Sequence, residues 1–397
     1  MIHPDEAGRL IECLDCRLAV ERISLASALG RVPAEAPLAR LEQPTFDKAT
    51  MDGFAYGTAD GAMAEIGASF VLVDVIAAGS PPPAPLEAGQ CVRIMTGAPV
   101  PAGAAAVHRL ERSEQADGRV VLAAREEGLN IVRRGANRRS GDPLFPRRPL
   151  RPQDLALLAS DGVSELEAVA KPRALVLSTG CELRSSGETL APGSIYDTNG
   201  PLLVALAAAA GCEAAFAGIV PDDGGALRDA IVEASGRSDL LLLSGGVSAG
   251  DFDFVPEALE RSGFELLFRR MAIRPGMPVL LARRFEGGRA RFACGMPGNP
   301  VSAFVGFELV AKPLIWRLSG LRYEPRFARV RAGGPIERAA TERVELVPVE
   351  LREGLALPLR YTGSTMLDVL SRAEAFVRLE IGQSEIPEGA ECLARLV

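Results

Sequence analysis

Residues 239–253 read DLLLLSGGVSAGDFD, and the fold turns on how that stretch is read. Leu240 to Leu243 make a short unbroken apolar run, the pattern of a strand buried on both faces of a parallel sheet. The run stops at Ser244-Gly245-Gly246, where paired glycines let the backbone turn sharply and approach a ligand with no Cβ between. Ser248, Gly250, Asp251 and Asp253 follow, ahead of a helical stretch from Val255 to Arg261. Ligands of open α/β sheets sit outside the carboxyl ends of the strands, where this loop would lie. Its backbone N–H groups and hydroxyls suit a phosphate, and its aspartates suit a cation or the activation of water. A plain strand–turn–helix connection fits the spacing equally well. The loop is neither a Walker A sequence nor a GxGxxG.

The neighbouring sequence repeats the theme. Arg173 to Leu177 reads as a strand closed by Ser178-Thr179-Gly180 and followed by Glu182. Asp197-Thr198-Asn199 offers capping side chains to an apolar helix, Leu202 to Ala210, that stops at Gly211. Ala214 to Val220 is a second strand, and Asp222-Asp223 begins the next helix. Phe264 to Ile273 and Val279 to Ala282 read as strands around RPGMP (274–278), and Phe292 to Cys294 as another delivering GMPGNP (295–300). Asn299 and Pro300 open a long helix ended by Gly320. This is a doubly wound α/β domain over 171–320. With parallel strands, the tips carrying Glu182, Asp222 and Asp253 share one rim, and three convergent carboxylates repel unless a cation sits among them.

Composition narrows the chemistry. The chain has 397 residues, 48% hydrophobic and 24% charged, with a net charge of −7 that argues against a general nucleic-acid binder. No apolar run approaches the roughly 18–20 residues of a membrane span, and the polar, acidic first residues lack a secretory core, so a cytoplasmic protein is expected. Seven scattered cysteines suit reduced thiols. Cys13 and Cys16 form a CxxC in an expected helix, read as buried thiols rather than metal ligands. Two histidines, His3 and His108, make a multi-histidine metal site and a Ser-His-Asp triad alike improbable. Chemistry must then rest on carboxylates, arginines, hydroxyls and backbone.

The flanks differ in texture. Residues 4–30 read as two helices, one through Leu10 and Cys13 and one through Leu18, Ile23 and Leu29. From about 45 to 135 short β-rich runs alternate with Gly and Pro clusters, including TMDGFA (50–55) and RIMTGAPVP (93–101). Residues 133–151 gather seven arginines around Asp142, which suits either a solvated basic face or a loop receiving an oxyanion. After Gly320 short alternating strands return, with YTGSTMLDVLSRAEA (361–375) between them.

Taken in order, TMDGFA, RIMTGAPVP, the STG-E tip, IYDTN (195–199), SGGVSAGDFD and GMPGNPVSA (295–303) resemble the MoeA/gephyrin E-domain family, the molybdopterin molybdenumtransferases. The resemblance spans essentially the whole chain. It implies a homodimer of four-domain α/β subunits: a segmented first domain (1–44 plus 137–170), an inserted β domain (45–136), a molybdopterin-binding α/β domain (171–320) and a C-terminal β barrel (321–397). The implied reaction hydrolyses adenylylated molybdopterin with Mg2+ or another divalent cation, inserts molybdate and releases AMP. The adenylyltransferase and acceptor molybdoenzymes are further partners it allows.

Position by position, the resemblance assigns Glu182, Asp222 and Asp253 to the metal and to catalysis. It draws Asp52, Thr96 and Asp142 from the other subunit across the dimer cleft, and matches Ser364 to a C-terminal serine of a GS motif. Ser178, Gly180, Asp197, Thr198, Asn199, Gly245, Gly246, Ser248, Gly250, Pro297, Asn299 and Pro300 complete the expected substrate-binding set. Where the family shows KPGKP with a lysine four residues upstream, this chain has Arg274, Met277 and Arg270, in keeping with its three lysines in all. Arg270 and Arg274 would bind the oxyanion. Met277 carries no charge, which favours a second reading as a non-catalytic, molybdopterin-holding paralogue. A third, an adenylyltransferase, is disfavoured by the flanking domains.

Overall fold

A computed structural model describes residues 1–16, 19–247, 254–360, 363 and 366–397. Its central sheet has six strands, β1 (Arg173–Thr179), β2 (Glu213–Val220), β3 (Leu240–Ser244), β4 (Glu265–Phe268), β5 (Leu280–Glu286) and β6 (Arg289–Met296), in the order β2-β1-β3-β6-β5-β4. The first four in that order are mutually parallel, and β5 and β4 close the edge antiparallel. The leucine run explains the double winding. Leu240 and Leu242 enter a core with Leu203, Ala207 and Ala303, from the helix Asn199–Ala209 and the helix that begins at Pro300. Leu241 and Leu243 enter the opposite core with Leu227, Ile231, Val255 and Leu259, from the helices Gly224–Arg237 and Val255–Arg261. All four are fully buried, so each face contributes roughly 1.5–3 kcal/mol per leucine.

Two β units flank this domain. Gly53–Gly57 and five further strands form a six-stranded sheet in the insertion, as its texture suggested. At the C-terminus Phe327–Ala332, Val344–Arg352, Leu355–Pro358, Ala375–Leu379 and Glu391–Leu396 close into a barrel, because Val344–Arg352 pairs with strands on both sides.

Three sequence expectations are corrected. The second N-terminal helix is instead a strand, Val20–Ser24, paired antiparallel with Glu165–Val169. Leu18, Ile23 and Leu29 are spaced too widely for one helix face, and Ile23 packs with Leu166 around Leu150 and Leu158. Cys13 is exposed at the end of the helix Pro4–Glu12 rather than buried. Only Cys16 is half-buried, its thiol pushed up to about 11 by desolvation. Finally, the strand expected to run to Ile273 ends at Phe268. Ile273–Arg274 leaves the sheet and pairs parallel with Val344–Arg352 of the barrel. The 274–278 turn is thereby anchored to two domains.

The arginine-rich segment 133–151 is mostly a set of internal staples, which overturns its reading as an anion-receiving loop. Arg133 pairs with Asp47, Arg134 with Glu42, Arg138 with the buried Asp161, and Arg148 and Arg151 with Asp154. Arg147 donates to the carbonyls of Ser319 and Gly320, tying the segment to the end of the α/β domain. Arg148 reaches both oxygens of the buried Asp154 at 2.5 and 2.8 Å. Those hydrogen bonds hold the carboxyl down at about 2. A depressed carboxylate stabilises fully above its unfolded value and loses that contribution as pH falls through the folded one. The stability gap between native protein and Asp154→Asn is therefore expected to be about 2 kcal/mol near pH 7 and to close towards pH 2. Urea unfolding across that range checks it, and a gap indifferent to pH would contradict the assignment.

Candidate active site

Parallel β1, β2 and β3 bring their carboxyl-terminal tips to one rim, with the end of β6 beside them. These tips line a cleft of about 450 Å³ that includes Thr179, Gly180, Glu182, Asp197 to Asn199, Asp222, Ser244 to Gly246, and Pro297 to Asn299.

The floor is a buried polar lattice. Asp197 accepts from Ser178 Oγ at 2.7 Å and from the N–H groups of Asn199 and Gly200 at 3.1 and 3.0 Å. It thereby caps the helix Asn199–Ala209 and pins it to the tip of β1. Asn199 Nδ2 donates to Ser244 Oγ and to the Gly298 carbonyl, both at 2.7 Å. One segment, 197–199, therefore ties three strand ends together. Thr198 supplies the N-cap position of the helix, and Pro300 its counterpart's first turn on the β6 side.

Glycine at 245 is required sterically. Its φ is +90°, and a Cβ there would stand 2.5 Å from the Thr179 carbonyl oxygen. Gly246, at φ +61°, completes the turn. Gly180 lies directly under the Glu182 carboxylate, which a Cβ would meet at 2.7 Å.

Glu182 and Asp222 both face this cleft. Asp222 Oδ2 accepts from the Cys181 N–H at 3.1 Å, and the Asp222 N–H points to Cys181 Sγ at 3.4 Å, so the tips of β1 and β2 are clasped. The Glu182 carboxylate accepts no hydrogen bond among the described residues. The third acidic candidate, Asp253, lies outside the described residues, as do Ser248, Gly250 and Ser364. Among the described residues no three acidic, histidine or cysteine side chains converge as a metal cluster.

Beyond β6 the cleft adjoins a groove of about 1040 Å³ between the α/β domain and the barrel, sharing Pro278, Pro297 and Asn299 with it. Arg274, Met277, Ser302, Arg338, Arg343, Glu345 and Arg360 are among its walls. Arg274 is the cross-strand partner of Glu345 and stands 3.7 Å from that buried carboxylate. The Arg338 side chain is enclosed and spent on the carbonyls of Gln383, Arg343 and Glu380. Arg343 and Arg360 have no ion-pair partner among the described residues, and guanidinium groups of that kind match tetrahedral oxyanions. Arg270 is exposed and lines neither space. Sequence reasoning missed Ser302, Arg343, Glu345 and Arg360. Ser302 sits three residues beyond the Asn299 it singled out, but nothing local marks the barrel arginines.

Asp52, Thr96 and Asp142 line neither the cleft nor the groove of their own chain. Asp52 accepts from Thr96 N and Oγ1 at 2.6 and 2.7 Å, and these bonds lower its pKa. Asp142 accepts from the Arg139 N–H at 2.7 Å, closing its own turn.

Comparison with known proteins gives three family matches along the chain. Residues 2–162 match the MoeA N-terminal region (domain I and II), 175–317 a probable molybdopterin binding domain, and 329–396 the MoeA C-terminal region (domain IV). A molybdopterin molybdenumtransferase of a Nostoc species is 34% identical over 81% of this chain and 75% of its own length. One from Bacillus subtilis is 32% identical over 96% and 90%. A crystal structure of the molybdopterin biosynthesis moeA protein of Pyrococcus horikoshii superimposes with a TM-score of 0.85 at 27% identity, covering 100% of this chain and 99% of that one. No helix among the described residues is long and apolar enough to cross a membrane.

Proposed function

The chain belongs to the MoeA family of molybdopterin molybdenumtransferases, and from that premise we propose how its own residues carry out the transfer. The substrate is adenylylated molybdopterin, held across the cleft with its phosphates over the Gly245-Gly246 turn. Its dithiolene points through the Pro278–Pro297–Asn299 junction into the groove, where Arg274 meets molybdate. Arg343 and Arg360 extend the same positive wall, and Arg270, being remote, serves at most the approach of the anion. Water adds to phosphorus, the bridging P–O bond breaks, AMP leaves, and the proton of the water passes to a carboxylate. Glu182 is placed to receive it, its carboxylate accepting no hydrogen bond among the described residues.

The donor set suits a hard cation, since Mg2+ is commonly held by one or two carboxylates together with substrate phosphates. Glu182 and Asp222, with Asp253 as the third candidate, would hold it, and bound there it would offset the phosphate charge. Asp52, Thr96 and Asp142 are assigned to the cleft of a partner subunit in a homodimer, consistent with their separation from their own chain's cleft. The domain limits 1–44 plus 137–170, 45–136, 171–320 and 321–397, and action in the cytoplasm, complete the reading. The observation that carries it is the pairing of Glu182 and Asp222 on a glycine-lined rim that opens into an arginine-walled groove.

Met277 favours one alternative, a molybdopterin-holding paralogue, because an uncharged side chain stands in the groove wall. Molybdate-dependent release of AMP decides between them. Turnover by the native chain is expected, with Met277→Lys lowering the KM for molybdate by about threefold to tenfold through one added charge. Tight substrate binding without turnover, restored by the lysine, would instead establish the paralogue.

A further inference from the structure

We propose that Glu345 is a positioning residue of the groove: it holds Arg274 in place for the oxyanion, although its own charge opposes that ligand. The inference rests on the transferase reading and adds a residue to it.

Two strands bring the pair together. Ile273–Arg274 runs parallel to the start of Val344–Arg352, with Ile273 opposite Val344 and Arg274 opposite Glu345. Register partners share a face, and successive residues alternate. Ile273 and Val344 are accordingly buried in one core, whereas Arg274 and Glu345 line the groove. The two differ in access, the Glu345 side chain being 9% exposed and that of Arg274 50%.

The carboxylate is short of partners. It accepts no hydrogen bond among the described residues, and its Oε2 is closed off from solvent. Two guanidinium groups flank it, Arg274 with Nε at 3.7 Å and Arg338 at 4.0 Å. Arg338 has no nitrogen to spare, since each donates to a carbonyl, of Gln383, Arg343 or Glu380. Arg274 has no other ion pair and no side-chain hydrogen bond among the described residues. A buried carboxylate is costly until a cation meets it, so Glu345 draws the Arg274 guanidinium by its Nε edge. The terminal nitrogens are left for the groove. A guanidinium carries five donors in one plane and can serve a carboxylate on one edge and an oxyanion on another. Tethered in this way, Arg274 has less rotamer freedom to lose when the anion arrives.

The sign of one effect separates positioning from plain charge. If Glu345 acted on molybdate only through space, removing its charge would tighten binding. If it positions Arg274, removing it loosens binding.

The test is steady-state AMP release with molybdate varied, for the native chain, Glu345→Gln, Glu345→Asp, Arg274→Lys and the double variant of Glu345→Gln with Arg274→Lys. Glu345→Gln is expected to raise the KM for molybdate roughly fivefold to twentyfold, with kcat within about twofold and the KM for adenylylated molybdopterin unchanged. Glu345→Asp keeps the charge but draws it back by one methylene, and should raise the same KM about threefold. In the double variant the two effects should fall short of additive, because a cation that is no longer held has less to lose. A lowered KM in Glu345→Gln, an unchanged KM in Glu345→Asp or full additivity would overturn the proposal, as would a loss confined to kcat. Should the glutamine variant not fold, the aspartate variant decides alone. Absence of molybdate-dependent AMP release in the native chain is a separate result, which brings down the transferase reading and this proposal with it.

Discussion

Asp222→Ala is expected to lower molybdate-dependent AMP release at least about a hundredfold, the usual scale for removing a group that stabilises charge at the reacting phosphate. The side chain lies half-buried just past the end of β2, where one oxygen is already fixed by the Cys181 N–H and the other accepts no hydrogen bond among the described residues. Orientation is therefore set before substrate arrives. Asp222→Asn keeps the size and an acceptor for Cys181 but loses the charge, so it should lose nearly as much activity while melting like the native chain. The measurement is single-turnover AMP release at saturating molybdate, which separates the chemical step from binding. Substrate affinity should change by less than about tenfold, since most of the contact comes from backbone and the rest of the rim. A normal rate in the asparagine variant would remove Asp222 from the reaction and leave it the task of clasping two strand ends.

The second large effect is on stability. Asp197→Ala should cost roughly 3–4 kcal/mol, read as a lower urea midpoint, because one buried carboxylate satisfies Ser178 Oγ and two N–H groups at the start of a helix. Water has poor access to all three, Ser178 being fully buried and Asn199 nearly so. Activity should fall with it even where the fold survives, since Asn199 loses the anchor that carries it to Ser244 and Gly298. Asp197→Asn, retaining one acceptor oxygen, should sit between the two. A cost below about 1 kcal/mol would mean that the helix start re-solvates and that the lattice is not what fixes the rim.

Both predictions concern residues that stand out in the sequence, and the reason is local. Asp222 follows a strand pattern, and both it and Asp197 precede a helix pattern, so their places at strand and helix ends are set locally. The leucine run is equally local in its message, since four apolar residues between turn signals need cover on both sides. The arginines misled for the opposite reason. Seven in one segment suggest an anion, yet their partners Asp47, Glu42, Asp161 and the Ser319–Gly320 carbonyls come from distant segments that only folding brings alongside. The strand Val20–Ser24 was hidden likewise, its partner lying at Glu165–Val169.

What the sequence determined by itself was therefore the alternation of strands and helices in the α/β domain, the parallel run through β3, and the polar tips that make a rim. Each of these follows from period, turn chemistry and capping within a few residues. Tertiary structure alone decided that Ile273–Arg274 joins the barrel, so that Arg274 faces Glu345 and shares a groove with Arg343 and Arg360. Arg343 and Arg360 carry no local signature, because a guanidinium just outside a strand reads as an ordinary solvated face until another domain closes over it. The cleft could be read from the chain's local grammar, whereas the groove exists only where two domains meet.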